Sequence, residues 1–149
     1  MSVCEILPNL WLGDINSAKN KSFFDDHNIN IVLNCTKDIP FYSNYTKNIR
    51  ISVDDNLENS EIDKFYLYIE KAVDLLNVEL MNNKNILVHC YAGKQRSASI
   101  ICCYLIKYAN MSLLESIEAI KSKRLIVFTP EINFKNALIK FEKKIKNQE

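Results

Sequence analysis

The sequence predicts one α/β domain spanning residues 1–149, built on a central, mostly parallel sheet of four to five strands with helices on both faces. Three observations carry this. Segments of strand character alternate with segments of helical spacing along the whole chain. Ile31-Val32-Leu33 and Ile86-Leu87-Val88 are short apolar runs without polar alternation, as in strands buried on both faces. The stretch from Arg96 to about Tyr108 is apolar on nearly every side, so it belongs in the middle of a domain. A chain of 149 residues suits one continuous core.

The elements follow in order. Two short strands are expected near Cys4–Leu7 and Leu10–Leu12, separated by Pro8-Asn9, with Gly13 ending the second. A helical stretch near Asn16–His27 comes next, then the strand at Ile31. Ile49, Ile51 and Val53 alternate with Arg50, Ser52 and Asp54, the pattern of a half-buried strand. Ser60 is placed to cap a long helix from about Glu61 to Leu80, with Ile62, Phe65, Ile69, Val73, Leu76 and Leu80 on one face. The strand at Ile86 runs directly into His89-Cys90. Ser112 is placed to cap a helix reaching about Ser122. A last helix after Pro130 sets Phe134, Leu138, Phe141 and Ile145 on one face.

Bulk properties exclude several classes. A formal net charge of +1 gives no broad electrostatic footprint for nucleic acid. The longest apolar run, about Ala98 to Ile106, falls well short of the roughly 20 residues a membrane helix needs. Residues 1–10 lack the basic start and apolar stretch of a secretory signal. Five cysteines, an odd number in mostly apolar surroundings, fit a reducing compartment, cytoplasmic or nuclear, better than a disulfide scaffold. With only two histidines, His27 and His89, no metal-ligand cluster is visible, and no cofactor is expected.

The informative segment is His89-Cys90-Tyr91-Ala92-Gly93-Lys94-Gln95-Arg96-Ser97, between a buried strand and a buried helix. Ligands of open α/β sheets bind at such junctions. The helix start offers unpaired N–H groups and a positive dipole to an anion. Five residues separate Cys90 from Arg96, enough to curl the backbone around a tetrahedral phosphate. Gly93, one of only two glycines, lies inside that curl, where a positive φ is expected. The amides of Tyr91, Ala92, Gly93, Lys94, Gln95 and Arg96 would bind the substrate phosphate. The dipole, the amides and the Arg96 cation would favour the Cys90 thiolate. Arg96 offers a planar fork to two phosphate oxygens. Ser97 can donate a hydrogen bond to the sulfur as it leaves, and His89 would brace the loop. Taken singly, a buried Cys, a core His and an Arg at a helix start each have a bland packing or solvation reading. In this order and spacing they point to one site.

His-Cys-x-x-Gly-x-x-Arg-Ser resembles the signature of the cysteine-based protein tyrosine phosphatases, and the short chain resembles their dual-specificity branch. The likeness runs nearly the whole length. It includes Ile6-Leu7-Pro8-Asn9-Leu10-Trp11-Leu12-Gly13, Ile31-Val32-Leu33-Asn34-Cys35, Tyr104-Leu105-Ile106, and the stretch from Lys123-Arg124 through Pro130 to Phe134. Between that Pro and Phe the family often has Asn and Gly, whereas this chain has Glu131, Ile132 and Asn133. Lys94 resembles the loop lysine of phosphoinositide phosphatases. Tyr91 occupies the place of their second lysine.

The resemblance also implies a general acid on a loop upstream of the signature. Asp54 and Asp55 are the candidates. Apolar residues are expected two and four positions before the acid; Asp55 has Val53 and Ile51 there, and Asp54 has Ser52 and Arg50. Phe65 lies ten residues beyond Asp55, matching an aromatic on the following helix. Strand phase therefore favours Asp55. Cys35 ends a strand expected beside the one ending at Cys90, which makes it a possible redox partner; the alternative is a small core residue. Tyr91, Tyr104 and Tyr108 are expected to be packing residues. Lys140, Lys143, Lys144 and Lys146 suit the negative end of the last helix.

The implied chemistry is hydrolysis of phosphotyrosine and phosphoserine/threonine on proteins through a phosphocysteine intermediate. The expected partner is a phosphoprotein substrate, with no nucleic acid and no membrane, and the default oligomeric state is a monomer. Rival readings are a phosphoinositide or RNA 5′-phosphate phosphatase using the same loop, and a phosphate-binding pseudophosphatase.

Overall fold

The computed structural model describes every residue except Asp55, Leu57 and Glu149. Strands β1 (Val3–Leu7), β2 (Leu10–Gly13), β3 (Ile31–Asn34), β4 (Lys47–Arg50) and β5 (Ile86–His89) form one sheet in the order β1-β2-β5-β3-β4. β1 pairs antiparallel with β2, and the remaining pairings are parallel. The β1–β2 turn places Asn9 at φ 73°, a left-handed conformation that Asn tolerates. β3 and β5 are buried at every position, as their unbroken apolar runs require of central parallel strands.

Helices α1 (Ile15–Ala18) and α2 (Lys21–Asp26) cover one face. There Ala18, Phe23 and Phe24 pack on Trp11, Val32 and Leu87. The single helical stretch expected near residues 16–27 is divided because Asn20 accepts the Phe23 N–H at 2.9 Å and starts a new helix. Helices α3 (Asn59–Met81), α4 (Arg96–Tyr108), α5 (Leu113–Lys123) and α6 (Lys135–Lys146) cover the other face. α4 touches α3, α5 and α6 and buries nine of its 13 residues, which explains its apolar surface all round. Ser112 caps α5 in a reciprocal capping box with Glu115. No helix among the described residues is long and apolar enough to cross a membrane.

Two boundaries differ from the sequence expectation. α3 begins at Asn59, with Glu58 rather than Ser60 at its cap position. The Glu58 carbonyl already accepts the N–H groups of Glu61 and Ile62, so the first turn closes around Ser60. The strand expected over residues 49–53 ends at Arg50. Its partner β3 stops at Asn34, and the Val53 N–H turns back onto the Ile51 carbonyl at 3.0 Å. Ile51 and Val53 remain buried, so the alternation persists without the ladder.

The parallel strands end in one register: Gly13 beside His89, His89 beside Asn34, and Asn34 beside Arg50. That edge carries the loops described next.

Candidate active site

Residues 90–95 form a loop whose backbone carbonyls all face donors outside it. The Cys90 carbonyl accepts from His89 Nδ1 at 3.3 Å and the Tyr91 carbonyl from the Ile15 N–H at 2.9 Å. Arg124 donates from Nη2 to the Ala92 carbonyl at 3.1 Å and from Nε to the Gly93 carbonyl at 2.9 Å. The Lys94 carbonyl accepts from the Phe128 N–H, and the Gln95 carbonyl from the Ser99 N–H, both at 2.8 Å. Among the described residues no hydrogen bond consumes the amides of Tyr91 to Gln95. A loop with its carbonyls bound outward and its amides unspent is a nest for an anion.

The two glycines of the chain meet here. Gly93 has φ +67°, and a Cβ on it would lie 2.7 Å from the Gly13 carbonyl oxygen. A Cβ on Gly13 would lie 2.2 Å from Ser17 Oγ. Both positions exclude a side chain, Gly93 by conformation as well as by space.

Cys90 is 3% exposed, and its sulfur lies 3.1 Å from Ser97 Oγ, in the first turn of α4. His89 is buried, and burial lowers its pKa to about 4, so the ring is neutral near pH 7 and donates from Nδ1 to the Cys90 carbonyl. Arg96 reaches from the start of α4 to the Val53 carbonyl, with Nη1 at 3.0 Å; its Nε is buried with no hydrogen-bond partner among the described residues. A cleft of about 560 Å³ opens in front of Arg96, walled by Ile15, Pro40, Tyr42 and Tyr91 and edged by Lys37 and Asp54. Cys90, Lys94 and Gln95 line a second, smaller hollow of about 250 Å³ with Thr129 and Asn133.

Asp55 lies outside the described residues. Its neighbour Asp54 turns its carboxylate to Lys37, 3.2 Å away, and its N–H to Glu61 at 3.0 Å. Cys35 follows β3, is fully buried, and donates its N–H to the His89 carbonyl at 2.8 Å. Burial, with the Cys90 sulfur nearby, pushes the Cys35 thiol well up. Tyr91 departs from its expected packing role: it is 63% exposed, at the wall of the cleft. Tyr104 and Tyr108 do stack on each other, with ring centroids 5.5 Å apart. Among the described residues, no group of three or more His, Cys, Asp or Glu side chains is placed to hold a metal ion.

The sequence reading did not assign a role to Arg124, nor to the side chain of Gln95, whose amide it placed in the loop. Arg124, 3% exposed, braces the loop from 31 residues downstream. Gln95 donates to the Thr129 and Glu131 carbonyls at 3.2 and 2.8 Å and accepts the Asn133 N–H at 3.1 Å. The divergent Glu131-Ile132-Asn133 segment is therefore hydrogen-bonded through its backbone, which depends little on its side chains. An Arg in the Lys123-Arg124 pair and a Gln just before a helix start were the available signals.

A family model described as dual specificity phosphatase, catalytic domain, matches residues 10–144. Human dual specificity protein phosphatase 16 is 36% identical over 145 residues, which are 96% of this chain and 21% of that protein. A putative tyrosine phosphatase, 123R, of Invertebrate iridescent virus 6 is 30% identical over 144 residues, covering 96% of this chain and 94% of that protein. The structure of human DUSP28 superposes with a TM-score of 0.86 at 20% identity, over 97% of this chain and 95% of that one, a likeness of fold. This chain spans about a fifth of the length of the first of these curated relatives.

Proposed function

This chain belongs to the dual specificity phosphatase catalytic-domain family, and we propose that it hydrolyses phosphotyrosine and phosphoserine/threonine monoesters on proteins through a phosphocysteine intermediate. The observation that carries this reading is the loop around Cys90, its carbonyls bound outward and its amides unspent among the described residues. The amides and Arg96 would hold three phosphoryl oxygens, and Arg96 would exchange its contact with the Val53 carbonyl for the substrate.

In the first step the Cys90 thiolate attacks phosphorus. The bond from phosphorus to the leaving oxygen breaks, and Asp55 gives that oxygen a proton. In the second step Asp55 takes a proton from water as the water oxygen attacks phosphorus. The sulfur–phosphorus bond breaks, Ser97 donates its hydroxyl hydrogen bond to the departing sulfur, and inorganic phosphate leaves. The assignment of Asp55 rests on strand phase, and the engagement of Asp54 with Lys37 supports it. The broad cleft in front of Arg96 supports acceptance of both aromatic and aliphatic phosphoesters. Five free thiols support a cytosolic or nuclear setting.

The test is hydrolysis of a small aryl phosphate in the presence of chelator. Turnover is expected in the wild type, none in Cys90→Ser with oxyanion binding retained, and severe impairment in Arg96→Lys, whose ammonium cannot make a bidentate contact. Activity that survives Cys90→Ser rules the reading out.

A further inference from the structure

Residues 36–39, beside the cleft, are pinned from below. Asn34 Nδ2 donates to the Ile39 carbonyl at 2.7 Å, and its Oδ1 accepts the Thr36 N–H and hydroxyl at 3.1 and 2.6 Å. Arg50 donates to the Thr36 and Ile39 carbonyls at 2.9 and 2.7 Å. Lys37 therefore rises from a fixed platform. Its ammonium stands between the Asp54 carboxylate, at 3.2 Å, and Glu61 Oε1, to which it donates a hydrogen bond. The other Glu61 oxygen accepts the Asp54 N–H at 3.0 Å. Glu61 is buried in the first turn of α3. Lys37 and the Asp54 N–H hold its carboxyl below the usual carboxylate range, so it is ionised at neutral pH. Arg96 Nη1 grips the carbonyl of the preceding residue, Val53.

We infer that Glu61 and Lys37 are positioning residues for proton transfer to the leaving group. Glu61 bridges the ammonium and the Asp54 backbone, so one carboxylate ties the platform, α3 and the Val53-Asp54 segment together. Lys37 commits the Asp54 side chain to the ion pair. The described residues that lead up to the proton donor, Val53 and Asp54, are thus held by Arg96, Lys37 and Glu61, and positioning of this kind is what an in-place catalytic group depends on. A carboxylate in the first turn of a helix has a bland role as a dipole partner. That role requires neither the bridge to Lys37 nor the bond to the Asp54 N–H. The inference rests on the proposed phosphatase reading with Asp55 as the acid.

The test measures kcat for a series of aryl phosphates of increasing leaving-group basicity, alongside melting temperature. Lys37→Met and Glu61→Gln should lose about tenfold on the most basic leaving group and far less on the most activated one, since misplacement of a catalytic group by about 1 Å can cost up to about 10²-fold. Lys37→Arg, which keeps a cation able to span both carboxylates, should recover most of the loss. In an Asp55→Asn background, Lys37→Met should cost little further, because the step it supports is already gone. An equal loss across all leaving groups, or additive losses in the Asp55→Asn background, overturns the inference. If Glu61→Gln fails to fold, the Lys37 pair decides alone. Turnover that survives Cys90→Ser overturns the phosphatase reading, and this inference with it.

Discussion

Arg124 donates from Nε to the Gly93 carbonyl at 2.9 Å, and through that bond a residue beyond α5 sets the direction of the loop amides. The same guanidinium holds the Ala92 carbonyl and reaches Ser2 Oγ at 2.8 Å, so it also ties the loop to the N-terminal segment. Arg124→Ala removes these donors from buried carbonyls, each worth about 1–3 kcal/mol when left unpaired. Oxyanion affinity, read from vanadate inhibition, should fall together with melting temperature. Arg124→Lys should not restore it, because one ammonium cannot span both carbonyls as the fork does. Unchanged vanadate inhibition in Arg124→Ala would remove Arg124 from the loop's support.

His89 gives a pH dependence with a definite sign. Its folded pKa, about 4, lies below its ordinary 6.5 because the ring is buried. Above 6.5 both folded and unfolded chains carry the neutral ring. Between 6.5 and about 4 the unfolded chain binds a proton that the folded chain refuses, so stability falls as pH falls through that window. The full effect is about 3 kcal/mol, from 1.36 kcal/mol per pH unit. Urea unfolding at a series of pH values should show a shallower acid limb in His89→Gln than in the wild type. Identical limbs would mean that another group governs it.

The adjacent acids separate by leaving group. Asp55→Asn should slow a poor leaving group by about 10²–10⁴-fold, with a smaller loss for an activated one. Asp54→Asn weakens the Lys37 contact and should cost much less. The reverse order would show the strand phase to be misread.

Cys35 and Cys90 follow the paired positions Asn34 and His89 of two adjacent parallel strands. After mild peroxide, a sulfenic acid on Cys90 would condense with the Cys35 thiol to a disulfide with loss of water. Peptide mapping should recover a Cys35–Cys90 peptide, and activity restored by thiol should be much lower in Cys35→Ser. Equal recovery without that peptide would leave Cys35 as packing alone.

What was legible from sequence is what is local. The Cys90, Arg96 and Ser97 positions lie within one loop and one helical turn, so their spacing alone predicts their proximity. The central strands were legible because burial on both faces keeps Ile31-Val32-Leu33 and Ile86-Leu87-Val88 apolar, with the polar Asn34 and His89 only at their ends. Bracing by Arg124 and Gln95, and the Lys37–Glu61 bridge, join residues 24 to 38 positions apart, and no period in the sequence encodes such pairings. The helix start at Asn59 was missed because Glu58 closes the turn with its backbone, which no side-chain signal announces.

The most direct measurement is rapid acid quench of the enzyme with a phosphotyrosine peptide, followed by mass spectrometry of the digest. One added phosphoryl group should appear on the peptide containing Cys90, more abundantly in Asp55→Asn when an activated aryl phosphate replaces the peptide, and never in Cys90→Ser. Phosphorylation of a different residue, or turnover with no phosphorylated enzyme and with activity retained in Cys90→Ser, would contradict the phosphocysteine mechanism.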